Sequence, residues 1–121
     1  MKFYWCSRCG NVFLVIEDGG VNPDCCGQPM EVLEASTVDG AAEKHVPVIE
    51  RDGNKITVKV GVDPHPMLPE HNIAFVAIHY GDRYQIERLK ISGEQKTEFA
   101  VNSDDDITAY GYCNVHGLWK S

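Results

Sequence analysis

The sequence predicts an all-β protein: a small metal-stapled module followed by an antiparallel β-sandwich of immunoglobulin-like form. Three observations carry that prediction. Four of the five cysteines stand at positions 6, 9, 25 and 26, too dense and too early to serve an ordinary core. Further along, short apolar runs alternate with polar positions and are punctuated by glycine and aspartate, the pattern of strands and turns. No segment holds a helical spacing of apolar residues long enough to bury one face of a helix. A chain of 121 residues has room for one domain of ordinary size plus a very small one.

Residues 1–34 form the first part. Cys6-Ser7-Arg8-Cys9-Gly10 is a knuckle in which two sulfurs reach one metal while the glycine allows the tight turn behind them. Cys25 and Cys26 are adjacent and followed by Gly27, so their sulfurs would hold the metal at a forced angle. An odd cysteine count speaks against a disulfide framework. The Cys-x-x-Cys of a thiol oxidoreductase opens a helix, whereas Asn11 to Ile16 is apolar, β-branched and too short for one. Four thiolates suit zinc as well as iron, and the residues alone leave both open. Either metal would be part of the fold, because about 35 residues bury too little apolar surface to hold a unique structure unaided.

Residues 35–42, Ala-Ser-Thr-Val-Asp-Gly-Ala-Ala, are small and polar and read as a linker to a domain over 43–121. In that domain Ile56, Val58 and Val60 alternate with Thr57, Lys59 and Gly61 after the turn signal Asp52-Gly53, predicting a hairpin. Ile73 to Tyr80 and Tyr84 to Ile91 form a second pair across Gly81-Asp82. Strands over Thr97 to Val101 and Ile107 to Cys113 complete the sandwich. Asp104-Asp105-Asp106 reads as a solvated loop.

The formal net charge of −7 argues against nucleic acid or an anionic membrane as partner. No apolar run approaches the roughly 18 residues a membrane span needs. Met1 to Trp5 leads straight into the cysteine knuckle without the pattern of a signal peptide, so a cytoplasmic protein is expected. Phosphate-binding, dinucleotide-binding and Ser/His/Asp patterns are absent, which points catalysis towards a metal.

His45, His65, His71, Cys113 and His116 are candidate ligands for one iron. Asp63-Pro64-His65-Pro66-Met67-Leu68-Pro69-Glu70-His71 contains three prolines that stiffen the backbone and fix two imidazoles. Cys113-Asn114-Val115-His116-Gly117 brings a thiolate and an imidazole to one tight turn. Five donors on an octahedral ion leave one position open. A thiolate opposite that position can push electron density into a small oxygen species. His79, within Phe75 to Tyr80, has no second donor near it and reads as an ordinary strand histidine.

Together these motifs carry a resemblance. Cys6-Ser7-Arg8-Cys9 with Cys25-Cys26 resembles the desulforedoxin iron site. Glu43-Lys44-His45-Val46-Pro47, His65-Pro66-Met67, Glu70-His71 and Cys113-Asn114-Val115-His116-Gly117 resemble the superoxide reductases. Almost the whole chain is covered by the likeness to the desulfoferrodoxin family of two-iron superoxide reductases. That resemblance implies two non-haem irons, one held by Cys6, Cys9, Cys25 and Cys26. The other would have equatorial His45, His65, His71 and His116 with Cys113 axial. It implies one-electron reduction of superoxide to hydrogen peroxide at ferrous iron without dioxygen release, a rubredoxin-type electron donor, and a homodimer. Lys44, a cation beside His45, would guide the anionic substrate. Glu43 is similar to the family glutamate that can occupy the sixth position of ferric iron. In an extended segment the two would point oppositely, so a mobile loop is expected to bring them to the iron.

A cupredoxin-like electron carrier is the rival from another class, since Cys113 and His116 on a β-sandwich resemble a blue-copper loop. No methionine follows Cys113, and only Met67 and Met30 remain as axial candidates. An iron-based electron-transfer protein without turnover is a further alternative.

Overall fold

The structure, a computed structural model, describes residues 1–36 and 42–121, with the side chains of Ala42 and Glu43 also outside the description. The expected linker, 35–42, therefore lies mostly beyond the described residues. Contacts divide the chain into two units, Met1–Glu34 and Ala35–Ser121.

In the first unit β1 (Phe3–Trp5), β2 (Val12–Leu14) and β5 (Glu31–Val32) form a three-stranded sheet in the order β2-β1-β5. A separate two-residue ladder pairs β3 (Asp24–Cys25) with β4 (Gln28–Pro29). Its core is small: Tyr4, Cys6 and Met30 are buried, with Val15, Cys25 and Val32 packed against them. Such a core is too thin to offset the entropy of ordering its chain, so the unit depends on something besides apolar burial.

In the second unit α1 (Ala42–His45), a single helical turn, precedes β6 (Pro47–Asp52) and β7 (Lys55–Val60). The chain continues through β8 (Ile73–Tyr80), β9 (Arg83–Arg88), β10 (Lys96–Ala100), β11 (Thr108–Cys113) and β12 (Gly117–Lys120). Two antiparallel sheets result, β10-β7-β6 and β12-β11-β8-β9. The expected hairpins form: Asp52 pairs with Lys55 across Gly53-Asn54, and Tyr80 with Arg83 across Gly81-Asp82. Alternation fixes their faces, because Ile56, Val58 and Val60 are buried while the residues between them are not. These three join Ile73, Val76, Ile78, Phe99, Val101 and Ala109 in one core between the sheets.

Two differences from the sequence reading bear on the site. β12 went unread because its four residues are too few to show a period, and Leu118 and Trp119 are both buried. Residues 42–45 form a helical turn rather than the extended segment assumed for Glu43 and Lys44. Pro47 limits the turn, since a proline biases the residue before it away from helical geometry.

Candidate metal centres

The first centre is built by two turns. After β1, the Gly10 N–H bonds to the Cys6 carbonyl (2.8 Å) and the Cys6 N–H to the Asn11 carbonyl (2.9 Å). Gly10 takes φ +81° to close this knuckle. The β3–β4 hairpin closes through Cys26 and Gly27 at φ +53° and +75°, the sign combination of a type I′ turn. A cysteine at positive φ is strained. The turn thereby sets the Cys26 sulfur 4.0 Å from that of Cys25.

All four sulfurs lie within 4.8 Å of one another, and Cys9 Sγ is 3.6 Å from Cys25 Sγ. A tetrahedral ion with metal–sulfur bonds of about 2.3 Å spaces its sulfurs about 3.8 Å apart. The observed separations bracket that edge, so the residues fit a four-thiolate ion. Their acidities agree. Main-chain N–H of Cys9 holds the Cys6 thiol down at about 7, whereas Cys9, Cys6 and Cys25 crowd Cys26 and push it up to about 12. Four thiolates cannot coexist here without a cation. The Asn11 amide donates to Cys25 Sγ at 3.7 Å.

The second centre gathers donors from three segments of the sandwich. His45 ends α1 and is buried, and its ring stacks on Trp119 (4.7 Å between centroids, 17° between planes). His65 and His71 come from the proline-stiffened loop before β8. Cys113 ends β11, and His116 sits in the turn that leads to β12. A register shift between Tyr112 and Cys113 re-aims the strand end, a usual place for a bulge beside a site. Gly117, at φ +86°, brings the chain back to pair with Cys113.

The four imidazoles form a closed square. Ring centroids are 4.7 Å apart for His45–His65, 4.8 Å for His65–His71, 5.0 Å for His71–His116 and 4.8 Å for His45–His116. Each neighbouring pair is steeply inclined. His65 Nδ1 lies 2.7 Å from the Pro66 carbonyl, leaving its Nε2 as a lone pair facing His45 Nε2 at 3.0 Å. Metal–imidazole bonds of about 2.1 Å put two cis nitrogens about 3.0 Å apart. His71 Nε2 is buried without a hydrogen-bond partner, a costly state that a metal would relieve. The nitrogens and sulfur of His45, His65, Cys113 and His116 lie within 4.8 Å of one another, and His71 joins them through its ring contacts.

Cys113, the thiol of this group, is fully buried. It accepts the His116 N–H at 3.3 Å and lies 3.6 Å from His116 Nδ1. Burial pushes its thiol up, against the main-chain N–H groups of His116 and Val115, so a thiolate there needs a cation in contact with it. Burial likewise holds His65 below its ordinary value, in the neutral form that binds metal.

Lys44 is exposed on the α1 turn beside His45. Glu43 belongs to the same turn, and its side chain lies outside the described residues. His79 is in mid-strand on β8, between Thr108 and Tyr84. The sulfurs considered for copper are engaged elsewhere: Met67 Sδ takes the Ile73 N–H at 3.4 Å, and Met30 is in the first unit's core.

The structure adds contributors to which the sequence assigns no role. Trp119 stacks on His45 and donates Nε1–H to the His116 carbonyl at 3.2 Å. Asn114 and Asn72 tie the cysteine turn to the histidine loop: Asn72 N–H donates to Asn114 Oδ1 (2.9 Å), and Asn114 N–H to the Asn72 carbonyl (3.2 Å). Buried Gln95 donates to the Val60 and Asp63 carbonyls (2.6 and 2.8 Å) and accepts the His65 N–H (2.6 Å).

Fold and donor sets together define a small β metalloprotein with one thiolate site and one imidazole–thiolate site. Comparison with known proteins narrows the class. The family model described as desulfoferrodoxin matches residues 37–121, and that of the desulfoferrodoxin N-terminal domain matches residues 1–33. A desulfoferrodoxin homolog of Archaeoglobus fulgidus is 46% identical over 121 residues, covering 100% of this chain and 96% of that protein. The superoxide reductase structure from Treponema pallidum superposes with a TM-score of 0.82 at 34% identity, covering 99% of this chain and 95% of that one. A superoxide reductase of Giardia intestinalis described as one-iron gives 0.58 at 26% identity, covering 65% of this chain and 95% of that one. The chain belongs to the desulfoferrodoxin family, and its donor sets are consistent with that family's two iron sites.

Among the described residues no helix is long and apolar enough to cross a membrane.

Proposed function

We propose that this protein is a superoxide reductase, adding one electron and two protons to superoxide to give hydrogen peroxide. The observation that carries the reading is the ring of four imidazoles with the buried Cys113 thiol beside it and one imidazole nitrogen, His71 Nε2, left without a hydrogen-bond partner. Relatives named superoxide reductase give it its direction.

His45, His65, His71, His116 and Cys113 would hold one iron, and Cys6, Cys9, Cys25 and Cys26 would hold the other. Iron bound at the imidazole–thiolate donors would supply a one-electron ferrous/ferric couple. The chain's own residues do the rest. Neutral imidazoles leave the site's charge to the metal and the Cys113 thiolate, and main-chain N–H donation to that sulfur tunes how strongly it gives electron density. Lys44 Nζ offers a cation beside the site in a chain of net charge −7, drawing in an anion that would otherwise be repelled. Glu43 would offer a carboxylate to the iron when it is oxidised.

Residues 1–34 serve as the four-sulfur module, 35–42 as linker and 43–121 as the catalytic domain. A rubredoxin-type one-electron donor, a homodimer and a cytoplasmic setting complete the proposal. Free rather than bridged cysteines suit a reducing compartment.

The test is stoichiometric. Reduced, iron-loaded protein is given superoxide with a reductant present, and peroxide and dioxygen are measured. One peroxide per superoxide without dioxygen is the expected result. Half that yield with dioxygen evolved would mean dismutation, and no acceleration would leave an electron-transfer protein.

A further inference from the structure

We infer that Gln95 is a positioning residue for the second centre: its buried side-chain amide acts as a one-residue partner strand that fixes the backbone on both sides of Pro64 and so sets His65. The inference rests on the proposed metal site and adds a determinant of its geometry.

His65 stands in a stretch that cannot hold itself. Pro64 has no N–H to donate, and the preceding Gly61 takes φ +77°, so the segment leaves β7 without a ladder to follow. The Gln95 amide supplies what a neighbouring strand would. Its Oε1 takes the His65 N–H and its Nε2 gives to the Asp63 carbonyl, the two main-chain groups that flank Pro64. The second Nε2 hydrogen goes to the Val60 carbonyl, and the Gln95 carbonyl in turn accepts the Val60 N–H at 2.9 Å. The amide orientation is fixed by this set, since an N–H must meet oxygen and two carbonyls must meet N–H.

From there the constraint runs to the metal position in two short steps. With the His65 backbone fixed, Nδ1 reaches the adjacent Pro66 carbonyl at 2.7 Å, which sets the ring plane. Nε2 then faces His45 Nε2 at 3.0 Å. The same loop holds the next residue too, because the Ser92 N–H donates to the Met67 carbonyl at 2.9 Å. Ser92 does so from φ +68°, a strained conformation for a non-glycine residue. Loop 90–95 is therefore a template for residues 63–67.

Gln95→Met keeps the length and removes the three side-chain hydrogen bonds, while Gln95→Glu keeps an acceptor for the His65 N–H and sets oxygen against two carbonyls. Both are compared in the full chain with the parent and with Val101→Ala. Val101 follows the end of β10 that pairs with Lys55, at the opposite end of β7 from Val60, so its truncation lowers stability without touching His65. Iron(II) affinity is measured anaerobically by chelator competition, with the sulfur-to-iron absorption followed at each site. Both Gln95 variants should weaken the second site by about 10–100-fold and shift its absorption, leave the four-sulfur site unchanged, and do so where Val101→Ala does not. Parent-like affinity and absorption in the Gln95 variants would overturn the inference, as would an equal loss in Val101→Ala. A parent chain that binds no iron with the absorption of the imidazole–thiolate donors would refute the proposed metal site itself, and this inference with it.

Discussion

Gly111 on β11 meets Val60 on β7 across the two sheets, and replacing it with alanine tests the packing that supports the site. A Cβ at Gly111 would lie 2.9 Å from Val60 Cγ2 and 3.1 Å from Cγ1, where ordinary contact begins at 3.4 Å. Rotating Val60 gives no relief, because both of its methyls are in the way and a β-branched side chain has few rotamers to choose from. The sheets must part by about half an ångström. Overpacking of this kind costs about 1–3 kcal/mol, and alanine returns about 0.4–1 kcal/mol through the unfolded chain. A net loss of about 1–2 kcal/mol remains, lowering Tm by about 4–16 °C for a domain of this size.

Val60→Ala alone loses two methyls and leaves a cavity, about 2 kcal/mol. In Gly111→Ala/Val60→Ala the new methyl fills part of that space, so the double variant should be about 1–2 kcal/mol more stable than the sum of the singles. Denaturant unfolding of the metal-free chain is the assay, since the thin core of residues 1–34 leaves the sandwich as the cooperative unit. A Gly111→Ala variant as stable as its parent, or strictly additive singles, would refute the packing argument. The consequence reaches the site because Gly111 lies two residues before Cys113, and the Val60 carbonyl is one of the groups that anchor Gln95.

His71→Ala should weaken iron(II) binding at the second centre by more than the Gln95 variants do, beyond about 100-fold, while His79→Ala should leave it unchanged; chelator competition compares them directly. Lys44→Gln should slow the reaction with superoxide by about tenfold or less and flatten its dependence on salt, read by pulse or stopped-flow kinetics at two ionic strengths. Because burial holds His65 below 6.5 in the folded chain, the unfolded chain takes up the proton first as pH falls. Stability of the metal-free sandwich is then fully present above 6.5 and declines below it until the folded value is reached, which denaturant midpoints across the mildly acid range would show. A strong chelator should expose the amides of Phe3 to Trp5 and Val12 to Leu14 to rapid hydrogen exchange while those of Val76 and Ile78 stay protected.

What could be read from the sequence was whatever depended on residue type at short range. The alternation of Ile56, Val58 and Val60 gave a strand and its buried face, and the cysteine spacing gave a metal module. What could not be read depended on a single polar side chain meeting main-chain groups far along the chain. Gln95 lies 30 residues from His65 in no motif, and nothing in its neighbours marks it as buried. Asn114 stands inside the Cys113–His116 turn and could have been suspected, but its partner Asn72 is 42 residues away. Trp119 stands in no motif, and only the fold lays its ring on His45. The short turn at 42–45 was misread as extended because four residues carry no period.

The two centres differ in where their order comes from, and that difference follows from contact range. Every donor of the first lies in one of two turns, and its sheets have strands of only two or three residues. Little holds those turns in register except a common ligand, and Cys26 sits at a strained φ that only the assembled site rewards. The second centre is the reverse. His65 is held by Gln95, Cys113 by β11, His116 by a glycine-closed turn and His45 by the Trp119 ring, and each of those supports is anchored in the sandwich. Its donors are therefore placed by contacts within the sandwich, and His71 Nε2, buried without a hydrogen-bond partner, is the atom that an ion there would satisfy. The first centre thus couples its metal to the folding of its own unit, whereas the second takes its geometry from a core that the sandwich builds from apolar burial.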